Sequence, residues 1–503
     1  MIDKRFECCI LGAGPAGMGV ALELIAGGIK DIVIVDTHDK VGGLARTETY
    51  GDARFDIGPH RFFTKNKEVD NLWHETLGTD FIPVNRLTRI YYKNKFFYYP
   101  IKPYDALAGL GIVESIHALA SFAAAKAKRH DEPKTFEDWI TNKFGRKLYE
   151  TFFKTYTEKV WGIPCKEIGA EWASQRIKGL DMMQVLRNAF TSSAGKFMTR
   201  TGKLPSALSN TLPKATPKAL PKTLPKTLVD QFDYPRLGAG QMYEAMCEKA
   251  VKAGVTLMLQ TRAASLIHKD GRIKSVLATS GGNEYSINAK QYFSSIPLTH
   301  FFRMLRPEEP VQVMEAVEAL YYRDHITVNL LVGSDNLFPD QWIYVHSPEV
   351  AMARLANYNN FSAAMVNKKG KTALSVEYFV FQHEDLWKKP DDYLKNLAVE
   401  ELSRVGLIKS ETVEGAWVVR ETEAYPTYYL GFGRHYDVLK ARTGEFGNIC
   451  QIGRGGMYKY NNQDHSIYSG LLAARNYRHP NDKPFNLWDI NIDTEYHESG
   501  GRK

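Results

Sequence analysis

A chain of 503 residues, 44% of them apolar, can bury a sizeable core and is too long for one simple domain, so two or three lobes are expected. The net charge of +8 suits an anionic ligand or an anionic surface, but long basic blocks are absent and no nucleic-acid partner is expected. An odd cysteine count without CxxC spacing argues against a disulfide framework and a zinc site, and no metal site is predicted; the cysteines are Cys8, Cys9, Cys165, Cys247 and Cys450.

The first fifty residues carry the pattern of a strand, a glycine turn, a helix and a second strand. They lack a signal-peptide pattern, so a cytoplasmic location is expected. In the GxGxxG motif, Gly12 permits the tight turn, Gly14 lets the backbone approach a pyrophosphate, and Gly17 lets helix and strand pack closely. The helix would direct its first N–H groups at the phosphates, and Asp36 ends the second strand, where a carboxylate can accept ribose hydroxyls. The pattern predicts a dinucleotide site, against the alternative of a glycine-rich turn in an unrelated α/β domain.

The next residues decide between NAD and FAD. The stretch "DKVGGLARTETYGDARFDIGPHRF" resembles the second glycine motif of the flavoprotein family that includes amine oxidases, protoporphyrinogen oxidase and UDP-galactopyranose mutase. Residues 255–298 resemble later strands of the same FAD domain. The resemblance implies FAD as the cofactor, bound through Gly42, Gly43, Leu44, Thr47, Gly58, Pro59 and His60, and through Gly453, Arg454, Asn462, Asp464 and Ser466 near the C-terminus.

Helical periodicity dominates from about residue 102 to 200, and the Ala-rich window 106–128 predicts a packing helix rather than a membrane span. Proline then recurs every fourth residue in "LPKATPKALPKTLPKTL", which forbids a continuous helix. This stretch is either a tolerated surface insertion or a basic flap over an anionic ligand or a membrane surface. Strand-like alternation returns from about residue 251 and predicts an antiparallel sheet.

These patterns predict an α/β fold with a discontinuous Rossmann-type FAD domain, an inserted helical domain and an antiparallel sheet domain. The predicted division is a FAD domain in three parts (1–100, 231–300 and 441–490), a helical domain (101–200), a Pro/Lys-rich insertion (201–230), a sheet domain for the substrate (301–440) and a tail (491–503).

Within the wider flavoprotein family, a set of short blocks between about residues 10 and 475 resembles UDP-galactopyranose mutases. Their order and spacing together are hard to obtain by chance. The blocks are "GPHRFFTKNKEVDNLW", "GRKLYETFFKTYTEKVWGIPCKEIGAEWASQRI", "FDYPRLGAGQMYEAM", "VAMARLANYNNF", "EAYPTYY" and "GRGGMYKYNNQDHS".

The resemblance implies a set of charged residues at the reacting centre. Arg176, Arg354 and Arg454 would hold a diphosphate, because a guanidinium matches phosphate oxygens in a fixed fork. His60, in a Gly-Pro-His turn, would lie close to the flavin ring. These four are the predicted catalytic residues; the alternative is that the arginines are ordinary surface residues and that His60 is a structural histidine.

Aromatic residues would complete the substrate site. Tyr156 and Trp161 would offer an aromatic face to the nucleotide base, and Tyr425 and Tyr460 would donate hydroxyls to the diphosphate. Trp161 could equally be a core aromatic at a helix end. The alternatives for the role of Tyr425 are Tyr428 and Tyr429.

The resemblance implies a flavin-dependent mutase that interconverts the pyranose and furanose forms of a UDP-sugar for surface polysaccharide biosynthesis, with N5 of the reduced flavin as nucleophile at the anomeric carbon and NAD(P)H as reductant. The main alternative is a FAD-dependent oxidoreductase of the protoporphyrinogen oxidase or amine oxidase type, because "SSIPLTHFFRML" resembles that group more closely. A third class is a non-catalytic flavoprotein. Gly455-Gly456 and the Asn461–Gln463 run depart from the commoner mutase residues, so the sugar stays open, as do the nucleotide, the oligomeric state and a peripheral membrane contact.

Overall fold

The computed structural model describes residues 1–101, 109–127, 132–170, 172, 231–335, 337–482 and 484–491. Arg176, the Pro/Lys-rich insertion and the chain beyond residue 491 lie outside these residues. Two large sheets, of eight and seven strands, form the body of the molecule. None of the helices in the described ranges combines the length and the apolar character that a membrane crossing requires.

The strands and helices follow in chain order. The strands are β1 (Ile2–Leu11), β2 (Ile32–Val35), β3 (Thr47–Tyr50), β4 (Ala53–Asp56), β5 (Phe81–Asn85), β6 (Thr88–Tyr92), β7 (Lys95–Tyr98), β8 (Gln231–Pro235), β9 (Thr256–Met258), β10 (Arg262–Lys269), β11 (Arg272–Ser280), β12 (Asn283–Ser294), β13 (Leu305–Arg306), β14 (Tyr322–Val332), β15 (Trp342–Val345), β16 (Arg354–Asn357), β17 (Thr372–Val380), β18 (Val413–Pro426) and β19 (Ile449–Gln451). The α-helices are α1 (Pro15–Ala26), α2 (Lys67–Leu77), α3 (Ile112–Ala127), α4 (Phe136–Phe144), α5 (Arg146–Tyr149), α6 (Thr155–Trp161), α7 (Gly240–Lys252), α8 (Leu298–Met304), α9 (Val311–Ala319), α10 (Asp385–Lys388), α11 (Asp391–Arg404), α12 (Gly433–Thr443), α13 (Gly453–Gly456) and α14 (Gln463–Arg478).

The eight-stranded sheet contains the predicted glycine motif. Its order is β13-β10-β11-β12-β1-β2-β9, and β19 also pairs with β12. β1 pairs in parallel with β2 and β12, and α1 makes the crossover that a parallel pair requires. Cys8 and Ile10 enter one apolar core cluster while Cys9 and Leu11 enter another, so both faces of β1 are covered. Because the strands come from three separated parts of the chain, the domain is discontinuous, which confirms the predicted fold class.

The seven-stranded sheet has the order β18-β14-β17-β16-β15-β6-β7. Its pairings are antiparallel except that β15 runs parallel to β6. Every residue of β17 is buried, and α11 packs on this sheet through Leu394, Ala398 and Leu402. β6 and β7 lie before the predicted domain boundary at residue 100, yet they belong to this sheet because β6 finds its partner in β15.

The described part of the predicted helical region packs around an apolar cluster that includes Phe122, Ile140, Phe152 and Trp161 and is shared with Ile90 and Phe97 of the seven-stranded sheet. Thr135 is the N-cap of α4, and the Thr135 and Asp138 side chains each accept a hydrogen bond from the other's backbone N–H in a capping box. Residues 146–161 form one helical run, α5 and α6, joined by a π-helical turn at Glu150–Lys154. This run places Tyr156 and Trp161 against the central cavity.

α1 and α14 cross at two glycines. A Cβ atom at Gly19 would lie 2.5 Å from the Ile467 carbonyl oxygen, and one at Gly470 would overlap the Ala16 carbonyl oxygen. Only glycine permits so close an approach of two helix backbones. The crossing brings the turn after β1 beside the turn after β19, where a Cβ at Gly453 would lie 2.9 Å from that of Ala16.

We expect Gly470→Ala to lower the free energy of unfolding in urea by up to about 2 kcal/mol, and to be less stable than the control below. Alanine favours a helix by about 1 kcal/mol over glycine, but overpacking of backbone against backbone costs about 1–3 kcal/mol. The matched control is Gly433→Ala at the start of α12, where a Cβ would meet no described atom within 4 Å. A Gly470→Ala protein as stable as that control would contradict the close crossing.

Candidate active site

One cavity of about 840 Å³ lies between the two sheets and the helical region. It receives residues from the turns after β1 and β19, from α6, and from β15, β16 and β18. Most of the predicted site residues line it, namely Gly12, Gly14, Asp36, Gly43, Leu44, Gly58, Pro59, His60, Tyr156, Trp161, Arg354, Tyr425, Gly453, Arg454, Tyr460, Asn462, Asp464 and Ser466. Chain segments hundreds of residues apart therefore meet at one place.

The glycine turn after β1 forms one wall of this cavity. Gly12 has φ +109°, and a Cβ there would overlap the Ser295 hydroxyl, so the turn itself requires glycine. At Gly14, by contrast, a Cβ would meet Gly43 at 3.8 Å and the Gly42 carbonyl oxygen at 4.0 Å, which are ordinary contacts. Among the described residues no side chain caps the first turn of α1. Pro15 has no N–H, and the Met18 N–H donates to the Gly14 carbonyl. The Ala16 and Gly17 N–H groups are therefore the donors that this turn offers to a ligand. Open space and free donors occur together where the motif would receive a pyrophosphate.

Asp36 lies at the end of β2 and lines the same wall. Its carboxylate accepts the Ala13 N–H at 2.6 Å and the His38 N–H at 2.9 Å. These bonds hold the glycine turn against the second strand. A carboxylate has further lone pairs, so the predicted ribose contact is compatible with this geometry.

Gly17, Gly42 and Thr47 do not line the cavity. A Cβ at Gly17 would overlap the Gly12 carbonyl oxygen, and the Gly42 N–H donates to the Ala13 carbonyl at 2.9 Å. The Thr47 hydroxyl donates to Asp56 at 2.6 Å and accepts the Gly240 N–H at 2.8 Å. In the described part of the protein these residues support the cavity wall without lining the cavity.

A buried ion pair lies on the opposite side of the cavity. The Arg354 guanidinium donates to both carboxylate oxygens of Glu377, from Nε to Oε1 at 2.6 Å and from Nη2 to Oε2. His325 Nε2 contacts the same Oε2 at 2.8 Å. Burial opposes the ionisation of Glu377, but the Arg354 charge and the hydrogen bonds from His325 and Arg354 lower its pKa to about 2. Arg354 itself reaches the cavity with 15% of its side chain exposed.

Arg454 is held differently. Its Nε donates to the Asn461 carbonyl at 2.8 Å, and its guanidinium lies 5.1 Å from the ring centroid of Tyr425 and 4.8 Å from that of Tyr460. No carboxylate of the described residues lies within ion-pair distance of Arg454. The Tyr425 and Tyr460 ring centroids are 5.6 Å apart. The cavity therefore has a guanidinium whose charge no neighbouring acid offsets, framed by two phenols.

His60 lines the same cavity and is close enough to both arginines to be affected by their charges. Burial, with the positive charges of Arg454 and Arg354, lowers the pKa of His60 to about 3. The imidazole is therefore neutral at physiological pH, and its Nδ1 has no hydrogen-bond partner in the described part of the chain. A neutral ring can accept or donate one hydrogen bond without adding charge to the site.

Aromatic rings close the end of the cavity that faces the helical region. The Tyr156 ring stacks on His346 with centroids 4.7 Å apart, and burial raises the pKa of Tyr156 well above its usual value. Trp161 is 3% exposed and packs edge-on against Trp172 at 5.0 Å. Trp161 is thus both a core residue and a cavity-lining residue. The interpretation of Trp161 as a core aromatic is therefore compatible with a place at the site.

The C-terminal segment supplies the last wall. Asn462, Asp464 and Ser466 line the cavity at the start of α14, where Asn462 caps the helix in a capping box with His465. A Cβ at Gly456 would lie 2.5 Å from the Ser294 carbonyl oxygen and one at Gly455 3.0 Å from that of Ser295. Packing against the end of β12 is sufficient to require glycine at Gly456 and leaves little room for a side chain at Gly455.

Comparison with known proteins identifies the family. The family model described as flavin-containing amine oxidoreductase matches residues 15–476. The chain belongs to this family. The predicted relationship to flavoproteins of the amine oxidase group is thereby confirmed.

Within the flavin-containing amine oxidoreductase family, the chain is similar to nucleotide-sugar mutases. It is 29% identical to a probable UDP-galactopyranose mutase of Klebsiella pneumoniae over 167 residues, and 30% identical to a dTDP-fucopyranose mutase of Escherichia coli over 165 residues. Each match covers 32% of this chain and less than half of the relative, 42% and 43% respectively. A solved structure of reduced UDP-galactopyranose mutase superposes with a TM-score of 0.76 at 20% identity, over 95% of this chain and 96% of that one, which shows a shared fold.

The cavity fits the flavin that the family name implies. Gly14, the uncapped N-terminus of α1 and Asp36 would hold the dinucleotide part, and Gly43, Leu44 and Gly58 offer backbone along the same wall. His60 and Arg454 lie further along the cavity. These residues are of the kinds that a dinucleotide site uses, namely a glycine turn, a helix N-terminus and a carboxylate after the second strand.

We expect Gly14→Ala to reduce the flavin content of the purified protein by at least half without changing its circular dichroism spectrum. The added methyl meets only ordinary contacts in the protein but occupies space that the motif leaves for a pyrophosphate. The ratio of absorbance at 450 nm to that at 280 nm measures the flavin content. Gly433→Ala serves as control, and full flavin loading of Gly14→Ala would contradict the assignment.

Proposed function

We propose that this protein is a flavin-dependent mutase that interconverts the pyranose and furanose forms of a nucleotide sugar. The observation that carries the proposal is the position of Arg454, whose charge is not offset by a described carboxylate, in the same cavity as the glycine turn. The printed activities of the Klebsiella and Escherichia relatives support it.

A diphosphate suits the arginine side of the cavity. It carries two negative charges and several acceptor oxygens, and a guanidinium is the side chain that matches this geometry best. Arg454 donates from Nε to the Asn461 carbonyl and, at 3.4 Å, from Nη1 to the Ala424 carbonyl, and a guanidinium has further N–H groups for a ligand. The phenol groups of Tyr425 and Tyr460 beside it are further hydroxyl donors, so anion and donors meet in one place.

Bound reduced flavin would supply the nucleophile for the anomeric carbon, and NADPH or NADH would be its reductant. Arg454 and Arg354 would hold the leaving diphosphate close to the sugar until it reattaches. The neutral His60 ring would offer a hydrogen bond without drawing the diphosphate away from the arginines. The rings of Tyr156 and Trp161 would exclude water and offer a face to the nucleotide base.

Oxidation of an amine is served less well by this cavity. An amine substrate is protonated at neutral pH and would lie beside the uncompensated charge of Arg454. The ammonium group of the substrate and the Arg454 guanidinium would repel each other, and this repulsion is strongest in a site that excludes water. The electrostatics therefore favour an anionic substrate over a cationic one.

The decisive experiment measures turnover with the flavin in each redox state. We expect the dithionite-reduced protein, without oxygen, to convert UDP-galactopyranose or a dTDP-linked hexose into its furanose form, detected by chromatography, and the oxidised protein to show no conversion. NADPH should replace dithionite. Steady oxygen consumption with amines or porphyrinogens, without furanose formation by the reduced protein, would refute the proposal.

Arg454→Ala tests the anion site. We expect the dissociation constant for UDP to rise about 10- to 100-fold, because a hydrogen-bonded charge contributes about 1.5–3 kcal/mol. Flavin content should be retained. The matched control is Arg420→Ala, which also removes a cavity-lining guanidinium, but one already paired with Asp391 at 2.6 Å, and a change within twofold is expected. Equal UDP affinity of Arg454→Ala and wild type would overturn the assignment.

A further inference from the structure

The two cavity arginines differ in how much freedom they have. Arg354 and Glu377 stand directly opposite each other on the neighbouring strands β16 and β17. Both oxygens of the Glu377 carboxylate accept from the Arg354 guanidinium, and the Glu377 side chain is completely buried. A guanidinium that is hydrogen-bonded at two points cannot rotate freely, so the pairing of β16 and β17 sets the orientation of Arg354.

A second residue fixes the carboxylate itself. His325 on β14, the strand on the other side of β17, contacts Glu377 Oε2 through Nε2 at 2.8 Å. Its Nδ1 lies 3.4 Å from the Thr327 hydroxyl, and its side chain is 2% exposed. The three strands thus carry a continuous buried chain from His325 through Glu377 to Arg354, and it ends at the cavity wall.

Glu377 also changes what the cavity offers to an anion. Its pKa of about 2 keeps it ionised at physiological pH, so it offsets the charge of Arg354. Arg454 has no such partner among the described carboxylates. Affinity for a bound anion follows the net charge of the cavity, whereas stabilisation of charge that develops during reaction depends on how donors are aimed.

We propose that Glu377 is a positioning residue, supported by His325, which aims the Arg354 guanidinium at the departing diphosphate while Arg454 supplies most of the binding affinity. This inference rests on the proposed mutase function. It predicts different roles for two arginines that the sequence analysis did not distinguish: Arg354 acts mainly on turnover and Arg454 mainly on binding.

The test uses Glu377→Gln in the flavin-loaded full chain. The substitution keeps the size of the side chain but removes the charge and one acceptor. We expect kcat for the nucleotide sugar to fall at least tenfold, while the dissociation constant for UDP does not rise, because the charge of Arg354 then has no offset and the net positive charge of the cavity increases. Glu377→Asp should recover part of kcat. The matched control is Glu414→Gln, which removes the carboxylate of the exposed pair with Lys371 and should leave both constants unchanged.

A second readout does not depend on turnover. Protein labelled with ¹⁵N-arginine should show an Arg354 Nε–H resonance that is protected from exchange with solvent, assigned by its absence in Arg354→Lys. We expect the protection to fall at least tenfold in Glu377→Gln and to persist in Glu414→Gln.

Three outcomes would overturn the inference. They are an unchanged kcat in Glu377→Gln, an equal loss of kcat and UDP affinity, and an Arg354 resonance equally protected in wild type and Glu377→Gln. A wild-type protein that neither binds UDP nor forms furanose would refute the proposed function instead, and the exchange comparison would still decide whether Glu377 fixes Arg354.

Discussion

The close crossing of α1 and α14 is the constraint on which the rest of the site depends. Gly19 and Gly470 allow the two helix backbones to touch, and this contact places the turn after β19 against the turn after β1. Without it, Gly453 and Arg454 would not face the glycine motif. The close approach at Gly19 and Gly470 thus decides where Arg454, which is distant in sequence from the glycine motif, lies in the cavity.

Charge compensation organises the opposite side of the cavity. The buried charge of Glu377 is paired with Arg354, and the more exposed Arg420 is paired with Asp391. A buried charge that loses its partner is costly, so such pairs are held by strand register and packing rather than left to chance. Against this background, Arg454 stands out because no described acid offsets it.

Sequence patterns predicted the parts of this structure that obey local rules. The glycine motif, the helix after it and Asp36 follow from short-range requirements of a strand–turn–helix unit, and the family resemblance placed Arg354 and Arg454 at the cavity. Glu377 and His325 were missed, because their role arises from the pairing of three strands distant in sequence. One signal was available: Glu377 is the sole charged residue in the apolar run "TALSVEYFV", where a buried acid needs a cationic partner. The partner could not be named without the register of β16 and β17.

The arrangement of the eight-stranded sheet also has a consequence for biosynthesis. β1 leaves the ribosome early, but its partner β12 is not made until residue 294, and the glycine turn that completes the cavity wall follows only after β19. Contacts between such distant parts of a chain raise the contact order and slow folding. One edge of β1 must therefore stay without its partner strand until β12 has been made. Exposed strand edges aggregate, so the nascent chain would be a substrate for chaperones even though the finished protein covers both faces of that strand.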